Sequence, residues 1–234
     1  MPDVHVENLR KTYGDVVALE DVDLHLRQGE FHALVGPNGS GKTTLLRILL
    51  GLTPPSSGRL DVPDLRLGVA FQRPSFYEEL TVAENLRTFG AFVNADPEWV
   101  AELRERLGLN VVTERVAGDL SGGYERKLDL ALALAKEPDF LLLDEPLGDL
   151  DDVTKLRVVE FLEDYRDRGH GIVVSTHNLA EFSDSIDRLT VVIDGEVRAR
   201  GHRSDLPEDL QRFYLETAFE SGQGGATHIP SDER

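Results

Sequence analysis

Two strand-like segments open the chain, "VHVENLRKTY" (4–13) and "DVDLHLRQG" (21–29), the second with strict apolar/polar alternation. "EFHALVG" (30–36) and "LRLGVAFQ" (65–72) are denser in apolar residues and read as buried strands. Between them, leucines at 45, 46, 49 and 50 and isoleucine at 48 suit a largely buried helix that starts after Gly41. "TPPSSG" (53–58) is punctuated as a loop. From Thr81 to Lys136 the pattern is helical. Thr81 with Glu84 three residues on has capping-box spacing, and Asp96 followed by Pro97 opens a second helix. "SGGYERKLDLALALAKE" predicts a third. After Pro138, "DFLLLDEP" (139–146) and "GIVVSTH" (171–177) are strands around the amphipathic "DDVTKLRVVEFLEDYRDRGH". "RLTVVIDGEVRARG" (188–201) predicts a hairpin turning at Asp194-Gly195, and a helix is expected around 205–219. The pattern is an α/β core interrupted by a helical block, with no internal repeat.

Composition narrows this picture. The 234 residues suffice for a substantial core without disulfides, and the chain has no cysteine, which excludes thiol catalysis and cysteine-held metals. No apolar run reaches the roughly 18 residues of a membrane span, and "MPDVHVENLRK" lacks a secretory leader, so a cytoplasmic protein is expected. The net charge of −18, with 5 Lys against 20 Arg, argues against nucleic-acid partners. Acid-rich and lysine-poor composition resembles that of halophilic proteins, whose self-repulsion is screened by salt.

Chemistry enters at "GPNGSGKT", which matches G-x-x-x-x-G-K-[ST] between a strand and a helix. In such a loop Gly36, Asn38, Gly39, Ser40 and Gly41 present backbone N–H groups to phosphate oxygens, Pro37, which has no N–H, shapes the turn between them, and the helix start adds positive potential. Lys42 reaches the β- and γ-phosphates, Thr43 offers a hydroxyl to Mg²⁺, and Thr44 continues the phosphate-binding turn. "FLLLDEP" ends a buried strand in adjacent carboxylates. Asp144 is expected in the Mg²⁺ shell, and Glu145 as the group that polarises an attacking water.

"LSGGY" (Leu120, Ser121, Gly122, Gly123, Tyr124) is by itself an ordinary serine N-cap followed by glycines. Ahead of that acidic strand, it resembles the signature of the ATP-binding cassette, or ABC, ATPases. The resemblance covers about residues 3–205. It implies an α/β P-loop NTPase (RecA-like) core with an N-terminal antiparallel β-subdomain and an inserted α-helical subdomain. One domain of 1–220 follows, with 1–75 and 139–220 as core and β-subdomain, 76–138 helical, and 221–234 a disordered tail. The resemblance also implies that Tyr13 stacks on adenine, Gln72 senses Mg²⁺ and the transport partner, and His177 contacts the γ-phosphate. Taken alone, Tyr13 has a second reading as a strand aromatic in the core, and His177 is an unremarkable strand-end histidine. The signature would serve ATP bound by the opposite subunit of a homodimer or heterodimer.

Two departures from the family pattern stand out. Tyr124 replaces the usual glutamine. Gly148, Asp149, Leu150 and Asp151 stand where Ser-Gly-Leu-Asp is usual, which adds a carboxylate at the expected dimer interface. The implied function is the ATPase subunit of a transporter, acting on separate membrane permease subunits from the cytoplasmic face. The signature region looks more like that of exporters with separate ATPase chains. The alternative is an ABC ATPase uncoupled from transport, such as one for iron–sulfur cluster assembly.

Overall fold

A computed structural model describes residues 3–223. Strands β1 (Val4–Tyr13) and β2 (Val16–Leu26) form a hairpin, and β3 (Phe31–Val35) leads into α1 (Lys42–Leu49). Next come β4 (Ser57–Asp61), β5 (Leu67–Ala70), and the helices α2 (Val82–Phe92), α3 (Pro97–Arg106) and α4 (Gly122–Leu134). The chain then runs through β6 (Phe140–Asp144), α5 (Asp152–Asp167), β7 (Gly171–Thr176), β8 (Arg188–Ile193), β9 (Glu196–His202) and α6 (Leu210–Gln223).

The main sheet has the order β5-β6-β7-β3-β8-β9, parallel except for β9. An antiparallel sheet of order β2-β1-β4 forms the β-subdomain. The apolar runs follow from burial on two faces. Along β6, Leu141 and Leu143 enter the core shared with the helical block, while Phe140 and Leu142 enter the core under the antiparallel sheet and α1. β3 and β7 divide in the same way, with Ala33 and Val174 on one side and Leu34 and Val173 on the other. Each of the larger side chains, Val, Leu and Phe, contributes roughly 1.5–3 kcal/mol of burial.

Local chemistry sets the helix ends. The Thr81 hydroxyl accepts from the Glu84 amide at 3.2 Å, and the Glu84 carboxylate accepts from the Thr81 amide at 2.9 Å, completing the capping box. Asp96 caps α3 through the Glu98 amide at 2.9 Å. Asp194 and Gly195 both have positive φ, 51° and 81°, as a two-residue turn with right-handed strand twist requires.

The helical block is seated by aromatic contacts. Trp99 on α3 donates its indole N–H to Leu134 O at 2.9 Å and stacks on Tyr165 of α5, which stacks on His170. The Tyr165 hydroxyl donates to Pro138 O at 2.8 Å, which fixes this column to the segment entering β6.

Several boundaries differ from expectation. β2 begins at Val16 because Gly14, at φ 58°, turns the chain tightly enough to pair Tyr13 with Val16. β4 starts inside the expected 53–58 loop and pairs with β1, and its exposed, polar sequence hid it. α6 starts at Leu210, beyond Pro207, with the Asp209 carboxylate accepting from the Arg212 amide at 2.9 Å. It continues through Ser221 to Gln223, within the expected tail of 221–234, the rest of which lies outside the described residues.

Candidate active site

The glycine loop is pinned on both sides. A Cβ at Gly36 would lie 2.0 Å from Val192 O, and one at Gly41, whose φ is 103°, would lie 2.5 Å from Ala18 O. Only glycine fits at either position. The Gly195 amide of the β8–β9 turn donates to Ser40 O at 3.1 Å, so the hairpin braces the loop from behind. No side chain caps α1, leaving its first amides to a bound anion.

The cleft in front of the loop holds about 330 Å³ and is lined by Asn38, Gly39, Ser40, Gly41, Lys42, Thr43, Thr44, Gln72, Asp144 and Glu145, with Val16–Ala18 at one side. Lys42 is buried, its ammonium donating to Gly36 O at 2.6 Å and Pro37 O at 3.0 Å. Burial lowers its pKa, and the nearby Glu145 and Asp144 carboxylates oppose that shift. The Thr43 hydroxyl donates to Asp144 Oδ2 at 2.7 Å, and the Ser175 hydroxyl donates to Asp144 Oδ1. Thr43, Asp144 and Gln72 thus offer hydroxyl, carboxylate and amide oxygens at one cleft, a hard donor set that fits Mg²⁺.

Glu145 leaves β6 at φ 51°. Its Oε1 accepts from the His177 amide at 3.0 Å and lies 2.8 Å from His177 Nδ1, while Thr176 Oγ1 donates to Oε2 at 3.3 Å. The pair is therefore assembled in the fold, with His177 turned outward.

Gln72 is gripped through its backbone. Arg126 of α4, buried although charged, donates to Phe71 O at 2.6 Å and Gln72 O at 2.7 Å. One turn along, Asp129 accepts from the Ser75 amide at 2.8 Å, and buried Asn85 of α2 bonds both Tyr77 N and Tyr77 O. Sequence reasoning missed Arg126, Asp129 and Ser175. The available signal was two charges three residues apart in the apolar stripe of α4.

Burial pushes Asp129 up from 3.8 to about 6 against the pull of the Ser75 amide and Arg126. Between those values the folded chain holds a proton that the unfolded chain has lost. Stability from this group is full below about pH 4 and is lost as pH rises through 6. Asp129→Asn is expected to remove that slope and to stabilise the protein at pH 7 by up to about 3 kcal/mol. Urea titrations across pH 4 to 7 measure this, and parallel wild-type and variant curves would contradict it.

The signature lies away from the cleft. Ser121 precedes α4, and Gly122 and Gly123 pack against Asp149, where added Cβ atoms would sit 3.4 Å from Asp149 Cβ and 3.3 Å from its carbonyl oxygen. Leu120 and Leu150 are buried, and Tyr124 packs against the main core. Gly148 donates its amide to Glu145 O at 3.4 Å. Asp149 has φ 63°, and Asp151 caps α5 through the Thr154 amide at 3.0 Å. Tyr13 is exposed opposite Val16 on the rim, with the Lys11 ammonium 4.8 Å from its ring centre, and does not line the cleft itself.

Residues 19–148 match the family model described as ABC transporter. The chain belongs to this ABC transporter family. It is 36% identical over 218 residues to Nod factor export ATP-binding protein I of Cupriavidus metallidurans, covering 87% of this chain and 72% of that one. It is 35% identical over 238 residues to aliphatic sulfonates import ATP-binding protein SsuB 1 of Nocardia farcinica, covering 97% and 95%. The dimeric structure of a bacterial ABC transporter cassette superposes with a TM-score of 0.78 at 28% identity, over 86% of this chain and 98% of that one. This ABC protein is therefore an ATPase subunit with the P-loop fold inferred from its motifs. Among the described residues no helix is long and apolar enough to cross a membrane.

Proposed function

We propose that two such subunits, identical or paired with a second ATPase chain, close head to tail on two ATP molecules and drive export through separate permease subunits at the cytoplasmic face of the membrane. The observation that carries this reading is the placement of the signature. Its serine and glycines sit at a helix start outside the cleft formed by their own P-loop, as a surface meant for a partner's nucleotide would.

Within each cleft the P-loop amides and Lys42 hold the phosphates, and Tyr13 gives the adenine a ring to stack on. Thr43, Asp144 and Gln72 would hold Mg²⁺, which supplies charge neutralisation on the phosphates. Glu145 takes the proton of the attacking water, and His177, bonded to it, contacts the γ-phosphate side. The Arg126 grip ties the Gln72 loop to the helix carrying the signature, so a shift of one moves the other.

Relatives named for export and for import match at nearly equal identity, so the direction rests on the exporter-like stretch of α4. Affinity purification from detergent-solubilised membranes of the native host, at high salt, tests the whole reading. A co-purifying multi-span permease supports it, and the permease's cargo assay gives the direction. Recovery without any membrane protein overturns it.

The charge of −18 supports adaptation to high salt, and Asp149 lies where two subunits would meet. Asp149→Gly is expected to make ATP-driven dimerisation less salt-dependent, and it also relieves a left-handed backbone costing about 1 kcal/mol. Size-exclusion chromatography over a salt series reads this, and an unchanged profile discards the carboxylate as a barrier to closure.

A further inference from the structure

A cavity of about 680 Å³ lies between the β-subdomain and the β8–β9 edge, away from the P-loop. Histidines 5, 25, 32 and 202 line it. At its β1–β2 wall, His5 and His25 are direct cross-strand partners with rings stacked 4.2 Å apart, and Asp3, two residues before His5, reaches His25 Nε2 at 2.8 Å. One potential ligand atom from each of Asp3, His5 and His25 lies within 4.8 Å of the other two.

A second observation comes from the opposite wall. His32 of β3 is buried and binds Thr190 Oγ1 through Nε2 at 2.8 Å, while its Nδ1 has no partner. Burial pulls its pKa down to about 3, with Arg188 and His25 adding to the shift, so the ring is neutral at physiological pH. A buried imidazole nitrogen without a partner is costly. The cavity's arginines are already engaged, Arg188 with Glu30 at 2.7 Å and Arg200 with Asp23 O at 2.9 Å.

We propose that Asp3, His5 and His25 form a site for a divalent transition metal ion of the Zn²⁺ type, opening onto this cavity. Two imidazoles and one carboxylate are the donors that borderline metals select, whereas Mg²⁺ prefers oxygen alone. Tetrahedral coordination needs ligand atoms about 3.3 Å apart. The three ligand atoms lie within 4.8 Å of one another, and with His5 exposed and Asp3 and His25 half-buried, closing to that spacing calls on side-chain rotation. The bound ion would fasten the start of β1 to β2.

The test is Co²⁺ titration of the untagged full chain in excess Mg²⁺, which keeps the oxygen site at Asp144 occupied. Visible absorption and calorimetry are expected to show one saturable Co²⁺ per chain, displaced by Zn²⁺. His5→Gln and His25→Ala should each weaken it at least about tenfold, with far-UV dichroism and ATP turnover unchanged. No saturable Co²⁺ uptake, or uptake unaltered in both variants, overturns the proposal.

Discussion

Replacing Glu145 by glutamine is expected to lower ATP turnover at least about 100-fold while leaving ATP binding in place. General-base catalysis by a positioned carboxylate is worth roughly 10² to 10⁴ in rate, and an amide cannot take the proton. Shape is retained, because the Oε1 of glutamine can still accept from the His177 amide that now bonds Glu145 at 3.0 Å. The groups proposed to hold the phosphates, the loop amides and Lys42, are untouched. Phosphate release in steady state and titration with a fluorescent ATP analogue separate the two quantities. Turnover near the wild-type rate would remove Glu145 as the base.

Lys42→Ala is expected to act on the other quantity. A hydrogen bond from a charged donor contributes about 1.5–3 kcal/mol, so its loss should weaken ATP binding roughly 10- to 150-fold. Stability of the nucleotide-free chain should move little. Burial already lowers the Lys42 pKa, so the fold bears a desolvation cost for this ammonium that the nearby Glu145 and Asp144 carboxylates only partly offset. A combined measurement of affinity and melting temperature distinguishes this from general unfolding. Unchanged affinity would refute the role, and a collapse of melting temperature would assign Lys42 to the fold instead.

Most of this site was legible because its chemistry is local in sequence. A loop that must approach phosphate by its backbone requires glycine at Gly36 and Gly41, and the clashes with Val192 O and Ala18 O show why. The carboxylates at the end of β6 were readable for a similar reason: four apolar residues buried on both faces leave the strand end as the place where charge emerges. The signature was readable only by resemblance, since its pentapeptide has no local feature beyond a helix start. Arg126 and Asp129 were not readable. Their meaning depends on Phe71, Gln72 and Ser75, more than fifty residues away along the chain and brought close only by packing. β4 was missed because an exposed edge strand needs no apolar alternation, and its pairing with β1 is a tertiary fact. The grouping of Asp3, His5 and His25 likewise follows from strand register, which the segment beginning at 21 left unfixed.

The seat of the helical block has a practical side. The chain has a single tryptophan. Trp99 is clasped between the Leu134 carbonyl and the Tyr165 ring, far along the chain from the glycine loop. Its emission is therefore an optical gauge of one seam, where the inserted helices rest on the core. A spectral change on adding ATP would register rotation at that seam and not occupancy of the loop. The protein carries its own probe for any such rotation, with no dye to attach.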